Sequence, residues 1–270
     1  MMIAIDPGHV EGYNHSPCGF GYAEGTRMYE LSLLLAAEFE RYVDKYGKKV
    51  STINTRKNIK MSPSLYDRAA ISKDADLLLS LHTNAASDKI TNGTDYVCVF
   101  RSIKDKSAQL SENLAKAIAS LMGTKQKPQA MSKLNDPGTA DFYAIIRHAQ
   151  YFGVRCLLLE QSFHTDTAAT KWLMNDANLQ RLAETIAATV AAEYKLTKIK
   201  EEKPEMRYMT MGDVKADKNN GAFYAKTLEK LIEKGIFNGK GGTGDARIID
   251  LGEDAIRILV TLDRKGVFGG

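Results

Sequence analysis

The stretch Asp76-Leu77-Leu78-Leu79-Ser80-Leu81-His82 carries the reading of the fold. Its leucines run without polar alternation and are too few for an ordinary helix, so the segment reads as a strand buried on both faces. Such strands belong in the middle of a largely parallel sheet with helices on either side.

Working outward from this strand, helix and strand patterns alternate. Residues 2–6 (MIAID) read as an earlier buried strand stopped by Pro7-Gly8. Leu31, Leu34, Leu35, Phe39, Tyr42 and Val43 recur at helical spacing, which predicts a helix over 29–46 ended by Gly47. Residues 50–54 form a second strand, and Ser62-Pro63 opens a helix running to about residue 74. Beyond the leucine run, 94–100 is a strand, 108–121 a helix, 123–141 a long loop and 155–163 a strand. Residues 167–196 are helical, with a break near Asn175-Asp176. The expected class is α/β, a mostly parallel mixed sheet flanked by helices, with a small C-terminal helical domain.

The first domain is expected to span 1–196. Residues 197–206 (TKIKEEKPEM) are charged and contain Pro204, as a linker would. Residues 207–270 hold helical patterns at 222–235 and 253–265. Their apolar positions Leu228, Leu231, Ile232, Ile256, Leu259 and Val260 exceed what two short helices bury between them. That predicts homo-oligomerisation through this domain, with wall binding as the other reading. Gly239-Lys240-Gly241-Gly242-Thr243-Gly244 matches a dinucleotide fingerprint by spelling, but no strand precedes it and no helix opens from it, so it reads as a turn.

Composition narrows the function classes. Lys and Arg number 37 against 33 acids, a net charge of +4 without a clustered basic face, which argues against nucleic acid. No apolar stretch is long enough for membrane insertion. Cys18, Cys98 and Cys156 are scattered, without a Cys-x-x-Cys pair, which argues against a disulfide framework or a cysteine zinc site. The N-terminus lacks the basic, apolar and small-residue pattern of a secretory signal, so the expected product is made in the cytoplasm.

Four polar residues stand at strand ends or just after a strand-to-helix connection: His9, Glu30, His82 and Glu160. In open α/β sheets ligands gather beyond the carboxyl ends of the strands. Two histidines and one carboxylate suit a catalytic zinc that keeps a position for water, and a second carboxylate suits a general base. Taken singly, a histidine at a strand end is ordinarily a hydrogen-bonding loop residue.

Four segments in order resemble the zinc amidases known as type 3 N-acetylmuramoyl-L-alanine amidases. They are Asp6-Pro7-Gly8-His9, Glu30 leading into a Leu/Ala-rich helix, Ser80-Leu81-His82-Thr83-Asn84-Ala85, and Leu159-Glu160-Gln161-Ser162-Phe163-His164-Thr165-Asp166. The last is closest to phage and prophage variants. Val10-Glu11 stand where the family has Gly-Gly, an aromatic loop follows, and Asp166 replaces Asn.

The resemblance implies zinc held by His9, Glu30 and His82, with Glu160 as catalytic base. Glu24 also lies between the two histidine segments, but the helix after Glu30 favours Glu30. Asn84 and Ser80 are candidates for orienting a ligand, and Arg147 for touching substrate or making a structural salt bridge. Glu11 is expected to be solvated, His15 and His148 to be surface or hydrogen-bonding residues, His164 to lie behind the ligands or in the core, and Trp172 to be core.

The implied substrate is peptidoglycan, cut between N-acetylmuramate and L-alanine. The implied role is a phage or prophage endolysin reaching the wall after holin-type release. The alternatives are a zinc hydrolase of another peptide or acyl-amino acid, and a non-catalytic wall-binding protein.

Overall fold

The computed structural model describes residues 1–199 and 207–269, with the backbone alone at 254. The chain divides into two compact units, Met1–Ile199 and Lys200–Gly270.

The first unit runs β1 (Met2–Pro7), α1 (Glu24–Phe39), β2 (Tyr42–Val43), β3 (Ser51–Asn54), α2 (Leu65–Ile71), β4 (Leu77–Asn84) and β5 (Cys98–Arg101). It continues with α3 (Gln109–Met122), β6 (Gln129–Met131), α4 (Ala144–Tyr151), β7 (Cys156–Phe163), α5 (Thr167–Met174), α6 (Asp176–Tyr194) and β8 (Thr197–Lys198). Six strands form one sheet in the order β3-β1-β4-β7-β5-β6. The first four are mutually parallel, β5 is antiparallel to β7, and β6 follows β5. The expected mixed, mostly parallel sheet is what forms, with the leucine run β4 at its centre.

Both faces of that strand are covered. Leu77, Leu79 and Leu81 join Ile3, Ile5, Leu157 and Leu159 in a core closed by Leu31, Leu35, Leu114, Ile118, Leu182 and Ile186 from α1, α3 and α6. Leu78 joins Ala4, Cys98, Cys156 and Leu158 beneath Ala69 of α2 and Ile145, Ile146 and Ala149 of α4. Trp172 packs against the larger core. The side chains that alternate with these leucines, Ser80 and His82, continue the second face toward the carboxyl edge.

Three local expectations are corrected. The first helix starts at Glu24 and ends at Phe39, rather than spanning 29–46. Met28 extends the buried stripe Leu31-Leu35-Phe39 back by a turn, while Tyr42 and Val43 leave the helix to pair with Lys198 and Thr197. That pairing is long-range and invisible to a local periodicity. It also carries the first unit past residue 196, and the remainder of the expected linker, 200–206, lies outside the described residues. The loop expected over 123–141 contains β6, and α4 follows it without a side-chain N-cap that would announce it.

The second unit contains β9 (Arg207–Thr210), α7 (Met211–Ala216), α8 (Gly221–Glu233), β10 (Ile248–Gly252) and α9 (Glu253–Arg264). It is not purely helical: β9 and β10 pair antiparallel. Thr210 and Asp213 make a reciprocal capping box at the start of α7. The premise for association also fails. Leu228, Leu231 and Ile256 are fully buried and Val260 nearly so, and Tyr208, Met211, Val214 and Ile249 complete the core with the helices. Ile232 and Leu259 are half-buried against the same core, which is completed by elements the sequence pattern did not reveal. The Gly239–Gly244 segment is a turn: Gly239 has φ +67° and a Cβ there would lie 2.5 Å from the Ile248 carbonyl oxygen. No helix among the described residues is long and apolar enough to cross a membrane.

Candidate metal centre

Because β1, β4 and β7 are adjacent and parallel, their carboxyl ends meet at one edge of the sheet. His9 follows β1 by two residues, with φ +61°. Gly8 between them is required by close approach, since a Cβ there would lie 2.4 Å from Cε1 of His82. The Arg68 guanidinium locks this turn from behind, donating to the Asp6 carboxylate (2.9 Å), the Pro7 carbonyl (2.7 Å) and the His9 carbonyl (2.9 Å). Asp6 is buried and also accepts from Thr55 and Ser80. A buried carboxylate needs such partners to stay charged.

His9 and His82 converge, and the carboxylate between them belongs to Glu24, not Glu30. Glu24 is the first residue of α1 and is fully buried. One of its oxygens lies 2.9 Å from His82 Nδ1 and accepts the Thr83 N–H at 2.9 Å. The other lies 3.3 Å from His9 Nε2 and accepts from the Asn14 side-chain amide. One ligand atom from each of His9, Glu24 and His82 lies within 4.8 Å of the other two.

The expectation for Glu30 is therefore corrected. It stands six residues further on, roughly 9 Å along the helix axis and about two-thirds of a turn around it. Its carboxylate is 41 % exposed and pairs with Arg27. The error came from the misplaced helix start: Ala23 gives no capping signal, and Gly25 hides the first turn. Gly25 is there because Val10 packs against it, with a carbonyl oxygen 1.8 Å from where a Cβ would be.

Electrostatics mark the same cluster. Burial works to raise the Glu24 pKa, but hydrogen bonds and charge from His82 and His9 reverse this and hold the carboxyl far below the usual range. Burial works against the protonated His82 ring, and Glu24 overrides it, carrying the ring up to about 9. A buried carboxylate pulling on two imidazoles through exchangeable protons is the donor set of a borderline divalent cation such as zinc. The residues present thus fit the metal that the sequence resemblance implies.

Glu160 sits beside this cluster. It is the register partner of His82 on the neighbouring strand, so the two side chains share a face. It is 8 % exposed, and its Oε2 is buried without a hydrogen-bond partner. Burial pushes its carboxyl up to about 7, with His82 opposing and Glu24 adding to the rise. His9, Glu24, His82 and Glu160 open into one cleft of about 670 Å³, whose far wall is formed by the N-terminal ends of α2 and α4.

The remaining expected residues divide. Asn84 lines the cleft, its carbonyl accepting the His164 N–H at 2.9 Å. Ser80 does not touch a histidine; its hydroxyl donates to Asp6 at 2.8 Å. Arg147 holds the start of α4 by donating to the Asp141 and Phe142 carbonyls, and does not line the cleft. His164 is buried behind the cluster, 3.0 Å from the Thr83 hydroxyl and stacked on Tyr22. His15 bridges to Ala23 and His148 packs edge-on to Tyr66. The sequence assigns no role to Asn14, Thr83 or Tyr22, since each acts through a loop or strand-end contact that only the folded chain makes.

Among curated proteins none matches the chain. Solved structures do. One is an N-acetylmuramoyl-L-alanine amidase from Clostridium difficile 630, at TM-score 0.59 and 20% identity over 72% of this chain and 96% of that one. Another is the catalytic domain of such an amidase from Bacillus (Paenibacillus) polymyxa var. colistinus, at TM-score 0.59 and 14% identity over 73% and 99%. A third is an N-acetylmuramoyl-L-alanine amidase of Nostoc punctiforme, at TM-score 0.57 and 18% identity over 72% and 97%. At these identities the likeness is one of fold. The sequence model of the N-acetylmuramoyl-L-alanine amidase family matches residues 3–192. That match runs from β1 through nearly all of α6, takes in His9, Glu24, His82 and Glu160, and shows that the chain belongs to this family.

Proposed function

We propose that the first unit hydrolyses the amide between N-acetylmuramate and the L-alanine of its stem peptide, using zinc held by His9, Glu24 and His82. The observation that carries this reading is the convergence of those three donors beside a buried, unpartnered oxygen of Glu160. When bound, zinc polarises an amide carbonyl and lowers the pKa of water to near 7.

The chain's own groups do the rest. Thr83 and Asn14 fix the two oxygens of Glu24, so the carboxylate is oriented before any ligand arrives. Glu160 accepts a proton from the attacking water and returns it to the leaving alanine nitrogen. Its raised carboxyl suits both halves of that exchange near neutral pH. Asn84 lines the cleft within reach of substrate, whereas Ser80 and Arg147 support the scaffold.

Digestion of purified peptidoglycan tests the bond cut. The expected product is free N-terminal L-alanine with no new reducing sugar. New reducing ends would point to a glycosidase, and no product would favour the wall-binding alternative. The endolysin role is part of the proposal and rests on the Ser162-Phe163-His164-Thr165 segment.

A further inference from the structure

The loop joining His9 to Glu24 carries an exposed aromatic residue fixed against a candidate ligand. The Tyr13 ring stacks on the His9 imidazole with centroids 5.0 Å apart and planes 22° from parallel, yet it remains 57% exposed. One face of the ring is therefore engaged and the rest looks outward. The loop beneath it is held. Tyr13 N–H donates to the Val10 carbonyl at 3.0 Å, its carbonyl accepts the Gly25 N–H at 3.2 Å, and Gly12 N–H donates to the Thr26 hydroxyl at 3.1 Å. The next residue, Asn14, is tied to Glu24. The ring is therefore held in place beside the cluster with one face open.

The geometry points to Tyr13 as a sugar-contact residue that receives the N-acetylmuramate ring. This deepens the amidase reading and rests on it. Two arguments select the sugar over the peptide. The scissile carbonyl reaches its pyranose through a short lactyl arm, so a carbonyl held between His9 and His82 leaves the sugar about one ring's breadth away. The glycan is also continuous on both sides of that sugar, so it must lie along open surface. A stem peptide has a free end and can enter the enclosed part of the cleft beneath α2 and α4. A pyranose presents an apolar C–H face, and the aromatic face carries the negative side of its quadrupole toward such a partner. Because the ring is already fixed, little conformational entropy is lost on contact.

The test separates sugar contact from support of His9. Metal-stripped protein is titrated with a soluble, peptide-free glycan fragment containing N-acetylmuramate. The metal-loaded protein is assayed on a glycan-linked muropeptide and on a sugar-free lactoyl-L-alanyl peptide. Tyr13→Ala is expected to weaken glycan binding about tenfold, the scale of one aromatic contact. It should raise KM on the muropeptide similarly, with kcat and zinc content preserved and the lactoyl peptide unaffected. Tyr13→Phe should match the wild type, as should Tyr46→Ala, which removes an exposed tyrosine elsewhere. Equal losses on both substrates would overturn the proposal by placing Tyr13's effect on His9. Unchanged glycan binding in Tyr13→Ala, or no glycan binding by the wild type, would also overturn it. Glycan binding that depends on Tyr13 in a protein that cuts neither substrate would sink the amidase reading and leave the sugar contact standing.

Discussion

Glu24 opens α1 and Glu253 opens α9, and the two carboxylates have different company. Both stand where the free N–H groups of a first helical turn favour negative charge. Glu253 accepts from Tyr224 at 3.1 Å and pairs at 2.7 Å with Arg257, a cation four residues along its own helix. Arginine is always charged, so that pair is complete and permanent. Glu24 faces only imidazoles and neutral donors. A metal ion can displace the proton of an imidazole but not that of a guanidinium, so the negative charge of Glu24 is available to another cation. The same contrast extends to the units around them. In the second, Arg207, Lys230 and Arg257 are matched to acids at the surface. In the first, His82, Glu24 and Glu160 share a buried edge with one carboxylate oxygen left over.

The strongest way to break this comparison is to exchange the glutamates of α1. Glu24→Ala is expected to lose bound zinc on dialysis and all measurable hydrolysis, while Glu30→Ala keeps both. Metal analysis of the two purified variants decides it, and zinc retained by Glu24→Ala but lost by Glu30→Ala would reverse the ligand assignment. Next in size, Glu160→Gln should retain zinc and fold while turnover falls by about 10²–10⁴-fold. The amide preserves shape but cannot accept the proton, and near-native turnover would remove Glu160 from the mechanism.

A smaller effect concerns stability alone. Arg68→Ala strands the buried Asp6 carboxylate, so denaturant unfolding should show a loss of about 3–5 kcal/mol. Arg257→Ala, at an exposed pair, should leave the unfolding curve nearly where it was. Similar costs at the two sites would erase the distinction between buried and surface charge.

The sequence exposed some of this more readily than the rest. The sheet was legible because Leu77–Leu79 and Leu81 cannot be anything but buried, and His82 and Glu160 were legible because each follows an apolar run within its strand. Strand ends are fixed by hydrophobic runs, and parallel strands bring their ends together without further instruction. Glu24 was harder. Its place depends on where a helix starts, and that start has neither a capping side chain nor an apolar first turn. Asn14 and Tyr13 were harder still, since a loop's path is set by contacts such as Val10 against Gly25 that only the folded chain displays. In the second unit, β9 and β10 are short and pair across a long stretch of chain, so two helices alone looked underburied.

His9 adopts a left-handed backbone conformation that costs a side-chain-bearing residue about 1–2 kcal/mol. The Arg68 guanidinium holds that conformation through protein contacts alone. Stripping and reloading zinc should therefore be a matter of ligand exchange rather than of refolding. A chelated sample would stay folded, regain activity as fast as metal is supplied, and gain thermal stability with the logarithm of the free metal once that exceeds the dissociation constant.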